Sequence, residues 1–178
     1  MSSTIHHYQD LINLFDQQFY QSHNTRLIKG GDEPLYSPAS DKCGFHQIIF
    51  AHGYYASALH EISHWCVAGK ARRLIEDFGY WYEPDGRDQQ QQKAFEQVEI
   101  KPQAIEWAFC VAAQKNFNVS ADNLNGFEAD TVSFKKAVYQ QVSVYIEHGF
   151  PKEAQQFITC LAKFYHTTFP LNKEQFVL

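Results

Sequence analysis

The stretch Ala58-Leu59-His60-Glu61-Ile62-Ser63-His64-Trp65 carries the strongest structural signal in the chain, because it contains the pattern His-Glu-x-x-His. Two histidines four positions apart on a helix lie on one face, about one turn from each other, so both imidazoles can bind one metal ion. Glu61 points roughly 100° away around the helix, which suits it to hold a proton or a water molecule beside the metal. The motif predicts a divalent transition metal bound by His60 and His64.

The residues around this motif indicate a helix that is preceded by a strand. Gly53 opens the helical segment, apolar residues follow at roughly helical spacing, and Ala68-Gly69 ends it. Upstream, residues 45–51 form a compact apolar run that predicts a buried strand. A strand leading into a His-Glu-x-x-His helix is the zincin arrangement. The alternative interpretation is that the histidines lie on the surface of an ordinary amphipathic helix.

Hydrophobic periodicity predicts further helices along the chain. Asp88 is a candidate N-cap for a helix that ends near Gln97, and Pro102 suits the first turn of a separate helix. Residues 25–41 are irregular apart from a short possible strand at 26–28. We expect an α+β fold: a single, mostly helical, zincin-like catalytic domain over residues 1–178, with a small sheet beside the motif helix. The other predicted helices cover residues 8–20, 130–148 and 152–166.

A third metal ligand is suggested by a carboxylate in an apolar segment. Glu106 lies within residues 104–113, which are apolar nearly all round and therefore predict a buried helix. Burying an unpaired carboxylate costs several kcal/mol, and a metal ion would supply the missing partner. Glu106 is therefore the predicted ligand, with Glu99 as its rival and Glu96 as a weaker one. Pairing of Glu106 with Arg72 or Arg73, or contact with water, is the structural alternative.

Composition limits the classes of protein to consider. The chain has 178 residues, a net charge of −5 and 44% hydrophobic residues, which is ordinary globular composition and argues against direct nucleic-acid binding. Four widely spaced cysteines without a C-x-x-C pair predict reduced thiols rather than disulfides or a cysteine zinc site. We find no run of eighteen apolar residues and no signal-peptide pattern at the start, so we expect a soluble cytoplasmic protein without a membrane partner.

Two histidines and one carboxylate leave open coordination positions, which a catalytic metal needs. With zinc, Glu61 would serve as the general base of a metalloprotease. With Fe(II), the open face would accept dioxygen and substrate, giving oxygenation. Spacing alone favours the protease, and a module that uses metal only for folding or binding is a third hypothesis.

Three longer strings in the chain are distinctive. They are His60-Glu61-Ile62-Ser63-His64-Trp65-Cys66-Val67-Ala68-Gly69-Lys70, Asp77-Phe78-Gly79-Tyr80-Trp81-Tyr82 with Pro84-Asp85-Gly86-Arg87, and Val98-Glu99-Ile100-Lys101-Pro102-Gln103-Ala104-Ile105-Glu106-Trp107. With these strings the chain resembles a known family, the bacterial elongation factor P hydroxylases, which are non-haem iron enzymes. The resemblance covers nearly the whole chain, and the first 25 residues or so and the tail after Phe169 are its least diagnostic parts.

The resemblance implies an Fe(II)-dependent protein-lysine hydroxylase of the monooxygenase type, with dioxygen as co-substrate. Its partner would be elongation factor P, and its substrate the lysine of that factor after β-lysyl modification. His60 and His64 match the histidine ligands of the family, and Glu106 is the candidate for its carboxylate. The reductant is not assigned to any residue. The family is similar to zincin-type hydrolases in fold while using iron.

Two further expectations concern substrate contacts. The tract Tyr80-Trp81-Tyr82 is expected to exclude water from the site and to pack along an aliphatic lysine stem. Glu83, Asp85 or Glu99 is expected to receive the lysyl ammonium group.

Overall fold

The structure is α+β and mostly helical, as the sequence predicts. The computed structural model describes residues 5–76, 86–121, 126, 128 and 130–178. Within these ranges the elements follow in the order α1 (Tyr8–His23), β1 (Thr25–Lys29), β2 (Leu35–Ser37), β3 (His46–Phe50), α2 (Tyr55–Val67), α3 (Gln89–Ala112), α4 (Thr131–His148) and α5 (Lys152–Phe164). The predicted helices near residues 8–20, 130–148 and 152–166 are confirmed as α1, α4 and α5.

A three-stranded sheet precedes the motif helix. Its strand order is β1-β3-β2, with β3 parallel to β1 and antiparallel to β2. The chain turns from β3 into α2 through His52 and Gly53, which both have positive φ angles, 54° and 73°. A side chain at Gly53 would be strained by this backbone and would also crowd Lys29, so the short turn favours glycine. The central strand thus leads directly into α2, as predicted.

Strand β2 was not expected, because residues 25–41 read as irregular apart from the strand at 26–28. Its three residues lie between Pro34 and Pro38 and form a strand by pairing with β3. A short edge strand of this kind depends on the partner strand rather than on its own hydrophobic pattern. The pairing brings Leu35 and Tyr36 toward the C-terminal part of α2, where both residues line a cavity.

Helix α3 corrects the prediction of two helices separated before Pro102. Asp88 is the N-cap, as predicted, and it forms a capping box with Gln91. The helix then continues past Gln97 to Ala112 with Pro102 inside it. Pro102 has no amide hydrogen to donate to the carbonyl of Val98, which usually ends or kinks a helix. Here the second half of α3 is almost entirely buried, and burial of this apolar segment outweighs the missing hydrogen bond.

The described residues share one hydrophobic core, to which all five helices and the sheet contribute. At its centre Phe157 of α5 lies close to the rings of Phe15, Phe19 and Phe109. Trp65, the last residue of the motif stretch, packs against Phe15 and Phe19. The motif helix is therefore held from behind by α1, which fixes its histidines toward α3.

Two other predictions can be compared with the structure. All four cysteines are free, as the sequence indicates. Among the described residues, no helix is both long and apolar enough to cross a membrane.

Candidate metal centre

Three side chains from α2 and α3 converge on one point. The Nε2 atoms of His60 and His64 lie 3.1 Å apart, and Nε2 of His64 lies 3.1 Å from Oε1 of Glu99. Nε2 of His60 lies 3.7 Å from Oε2 of Glu99. Among the described residues, these three offer ligand atoms that all lie within 4.8 Å of one another. The structure therefore brings together both predicted histidines and the rival carboxylate, Glu99.

These separations suit a shared metal ion. Two donors that each lie about 2.1 Å from a metal are roughly 3.0 Å apart at a right angle and roughly 3.4 Å apart at the tetrahedral angle. The two distances of 3.1 Å fall in this range, and the 3.7 Å from His60 to the other oxygen of Glu99 is slightly longer. Two imidazoles and one carboxylate on one side of an ion also leave other coordination positions open.

The structure places Glu106 on the opposite side of the His60 ring. Its Oε2 lies 2.8 Å from Nδ1 of His60, whereas the converging donors face Nε2. A histidine that ligates a metal through one nitrogen usually donates its other N–H to a carboxylate or carbonyl. Glu106 is buried, as predicted, with 8% exposure, and its polar partner is His60. This position suits an orienting group rather than a third ligand.

The continuity of α3 explains why both glutamates reach the motif helix. Positions seven apart on one helix differ by only about 20° around the axis, so Glu99 and Glu106 share a face. Glu99 meets His64 and Glu106 meets His60, so α2 and α3 run in opposite directions at this contact. The sequence prediction separated these glutamates at Pro102, and the unbroken helix joins them.

Gln103 is a functional candidate that the sequence prediction missed. Its Nε2 donates to Oε2 of Glu99 at 3.1 Å and to the carbonyl of Ser120 at 2.6 Å, and its Oε1 accepts from the amide of Ser120. Gln103 is completely buried and follows Glu99 by one helical turn. The i, i+4 spacing of Glu99 and Gln103 is the sequence signal from which this contact could have been predicted. The amide holds the Glu99 carboxylate toward the histidines.

The pKa shifts of Glu99 and His60 are consistent with their pairing in this cluster. Burial opposes the charged form of Glu99, but hydrogen bonding to His64 and the charges of both histidines lower its pKa to about 2. Burial also opposes the charged form of His60, while the charge and hydrogen bond of Glu106 raise its pKa to about 10. These pairings favour the charged forms of both the Glu99 carboxylate and the His60 imidazole.

Glu61 lies beside this cluster and lines an adjoining cavity. Burial is the main cause that raises its pKa, and Glu99 and Glu106 add to the effect, whereas His60 and His64 oppose it. The cavity has a volume of about 480 Å³ and also reaches His64 and Glu99. A carboxyl group with a raised pKa at the wall of a cavity is suited to accept or donate a proton there.

The remaining residues that the sequence analysis singled out do not contribute to this cluster in the described part of the chain, or lie outside that part. Arg73, one proposed alternative partner of Glu106, instead donates to the carbonyl of Trp65 and lies 3.5 Å from Glu153. Glu96 accepts a hydrogen bond from Gln92 and does not belong to the converging group in the described part of the chain. The aromatic tract 80–82, together with Glu83 and Asp85, lies outside the described residues.

Two partly buried histidines and a buried carboxylate, held by a second carboxylate and an amide and open to a cavity, define a candidate metalloenzyme. Comparison with known proteins narrows this class. A family model described as elongation factor P hydroxylase matches residues 14–176. The chain is also 54% identical over 171 residues to the elongation factor P lysine hydroxylase of Haemophilus influenzae, covering 96% of each chain. The chain belongs to the elongation factor P hydroxylase family.

Proposed function

We propose that this protein is an Fe(II)-dependent hydroxylase that adds one oxygen atom to the β-lysylated lysine of elongation factor P. Family membership supports the reaction and the protein substrate. The observation that carries the metal dependence is the convergence of two imidazole nitrogens and one carboxylate beside a cavity. Because elongation factor P works in translation, we place the reaction in the cytoplasm.

The proposed ligands are His60, His64 and Glu99. This set differs from the predicted one, in which Glu106 was the carboxylate ligand, because Glu106 contacts Nδ1 of His60 rather than the shared point. When bound, Fe(II) supplies the capacity to activate dioxygen for insertion into a C–H bond. Glu106 fixes the His60 ring by accepting a hydrogen bond from its Nδ1–H, and Gln103 fixes the Glu99 carboxylate by donating a hydrogen bond to it.

Glu61 is proposed as the catalytic residue that handles protons at the cavity wall. Monooxygenation places one oxygen atom in the product and releases the other as water, so it consumes two electrons and two protons. An external reductant must supply the electrons. The Glu61 carboxyl group, with its raised pKa, is suited to relay a proton from the cavity toward the reacting centre. Leu35, Ile48 and Val98 contribute apolar surface to the same cavity, which Arg72 and Arg73 also line.

The decisive experiment is a single-turnover assay with defined metal. The purified protein is loaded with Fe(II) without oxygen, mixed with β-lysylated elongation factor P and a chemical reductant, and then exposed to dioxygen. Mass spectrometry should find one added oxygen atom on the modified lysine. Protein loaded with Zn(II) is the matched control and should give no product. Metal content alone decides little, because zinc, nickel or copper readily displaces Fe(II) from such sites.

The same assay tests the alternative of a zinc-dependent metalloprotease. Cleavage of elongation factor P by the Zn(II)-loaded protein, without added oxygen in the Fe(II) sample, would overturn the proposal. Glu61→Gln tests the part that Glu61 plays in either chemistry. A protease that lacks its general base should lose hydrolysis entirely. For the hydroxylase we expect Fe(II) binding to persist and the rate to fall by about 10²–10⁴-fold, the usual contribution of a positioned acid or base.

A further inference from the structure

Strand β2 forms one wall of the cavity beside the metal centre, and it lies at an edge of the sheet. The strand order β1-β3-β2 leaves one side of β2 without a neighbouring strand among the described residues. Leu35 and Tyr36 line the cavity together with His64 and Glu99. Ile48 of β3, which is directly opposite Tyr36 in the register, lines it as well. A substrate segment whose side chain enters this cavity therefore passes close to the main chain of β2.

The hydrogen bonds at both ends of β3 show which of its residues bond toward each neighbouring strand. The N–H of His46 donates to the carbonyl of Asn24, and the carbonyl of Phe50 accepts from the N–H of Gly30. Asn24 and Gly30 flank β1, so both bonds run toward that strand. Because the main-chain groups of successive strand residues point to opposite sides, positions 46, 48 and 50 bond toward β1 and positions 47 and 49 bond toward β2.

Tyr36 is the residue of β2 whose main chain faces outward. Leu35 and Ser37 pair with Ile49 and Gln47, the residues of β3 that bond toward β2. The N–H and C=O of Tyr36, which lie between these pairs, therefore point away from β3. Neither group has a hydrogen-bond partner among the described residues. Tyr36 thus offers one main-chain donor and one main-chain acceptor to a ligand at this edge.

The flanking residues are consistent with an edge that is open to a ligand. Pro34 and Pro38 lie two positions on either side of Tyr36, at outward positions of the same alternation, where a missing N–H removes no bond to β3. On the opposite edge, β1 packs against α1, and Asp16 of that helix accepts the N–H of Leu27. In the described part of the chain β2 has neither a cover of this kind nor a charged residue, which are usual means of closing an edge.

The side chain of Tyr36 is held in place while its main chain stays open. Its hydroxyl group donates to the carbonyl of Arg73 at 2.8 Å. Its ring lies nearly parallel to the ring of His46, with an angle of 11° between the planes. The strand is therefore ordered before a substrate arrives, which lowers the entropic cost of binding.

We propose that the outer edge of β2 is a docking strand, on which an extended segment of the protein substrate binds by main-chain hydrogen bonds to the N–H and C=O of Tyr36. Strand addition of this kind takes its affinity from main-chain groups. Opposed residues place their side chains on the same face, and Tyr36 shares its face with Ile48, which lines the cavity. The substrate residue opposite Tyr36, which is the target lysine or a residue two positions from it, therefore directs its side chain to the cavity side. The inference rests on the proposed function, because it concerns how the same lysine reaches the site.

A matched pair of variants tests the donor at Tyr36. Tyr36→Pro and Tyr36→Ala both remove the phenol ring, but only proline lacks the main-chain N–H, and an outward position on an edge strand tolerates proline. Each variant is loaded with Zn(II) to prevent turnover, and calorimetry measures its Kd for lysylated elongation factor P. Circular dichroism and the affinity for Zn(II) report whether each variant keeps its fold and its metal site.

Amide hydrogen exchange in the wild type tests the same contact without a substitution. NMR measures the exchange rate of the Tyr36 N–H in the Zn(II)-loaded protein, alone and with saturating lysylated elongation factor P. The N–H groups of Leu35 and Ser37 are the internal controls, because they already bond to β3. Sedimentation of the free protein shows whether a second copy of the chain occupies the edge instead.

We expect Tyr36→Pro to bind the factor at least about fivefold more weakly than Tyr36→Ala, the usual effect of one lost hydrogen bond. Exchange of the Tyr36 N–H should slow by at least about tenfold in the complex, while the exchange of Leu35 and Ser37 changes less. A smaller difference between the two folded variants, or unchanged exchange at Tyr36, would overturn the inference, as would a dimer that protects Tyr36 without substrate. If Tyr36→Pro does not fold, the exchange measurement decides alone. The proposed function fails by a separate result, the absence of added oxygen in the Fe(II) assay with wild type.

Discussion

Because Glu99 and Glu106 occupy different positions beside the histidines, we expect their substitution to weaken metal binding to different extents. Glu99→Gln removes a carboxylate at the converging point, whereas Glu106→Gln removes one that acts through Nδ1 of His60. Loss of an outer carboxylate of this kind typically lowers metal affinity by about 10–100-fold, which corresponds to about 1.4–2.7 kcal/mol. The amide oxygen of Glu106→Gln can still accept a hydrogen bond from Nδ1–H of His60, so this variant loses only the negative charge.

The distance of each carboxylate from the metal position determines how much metal affinity each variant should lose. A ligand oxygen lies about 2 Å from a metal, whereas an oxygen 2.8 Å beyond Nδ1 of a coordinated imidazole lies roughly 6–7 Å from it. Because Coulomb energy falls inversely with distance, the charge of Glu99 should contribute about three times as much as that of Glu106. We therefore expect Glu99→Gln to weaken binding by about 4–8 kcal/mol, or roughly 10³–10⁶-fold.

The assay is competition of each variant with a chromophoric chelator for Fe(II) under anaerobic conditions, repeated with Mn(II). Glu96→Gln is the matched control, because Glu96 lies on the same helix and its recorded partner is Gln92. It should bind metal like wild type. Equal losses for Glu99→Gln and Glu106→Gln, or a larger loss for Glu106→Gln, would refute the assignment of Glu99 as ligand and restore Glu106 to that role.

Three further outcomes are expected. In the metal-free protein the pKa of His60 is raised to about 10, so its contribution to stability is complete below pH 6.5 and is lost as the pH rises toward 10. The pKa of Glu99 is lowered to about 2, so its contribution is complete above pH 4.5 and is lost toward pH 2. Urea unfolding that shows no loss of stability between pH 6.5 and 10 would contradict the first expectation, and none between pH 4.5 and 2 would contradict the second. Removing the metal with a chelator should lower the free energy of unfolding by about 2.7 kcal/mol relative to protein held at a hundredfold excess of metal over Kd, and an unchanged melting temperature would count against a metal site. Ile62→Ala, at a completely buried position on the far side of the motif helix, should cost about 2–5 kcal/mol in urea unfolding, and a cost below about 1 kcal/mol would mean that this helix is not packed as described.

Local signals in the chain were sufficient for much of the architecture. Apolar residues at helical spacing predicted α1, α4 and α5, and the capping residue Asp88 marked the start of α3. These features depend on neighbours within a few residues, which the sequence displays directly. Strand β2 was not predicted, because a three-residue edge strand is stabilised by hydrogen bonds to β3 rather than by its own hydrophobic pattern.

By itself the sequence determined the paired histidines, because their four-residue spacing places both on one helical face wherever that helix lies. It also indicated that a buried glutamate on a later segment completes the site. Only the tertiary structure decided which glutamate occupies which position. Pro102 suggested a break in the chain, but burial of the surrounding helix keeps α3 continuous, so Glu99 meets the Nε2 atoms while Glu106 meets Nδ1 of His60. That choice depends on the packing of α2 against α3, a contact between distant segments that no local pattern encodes.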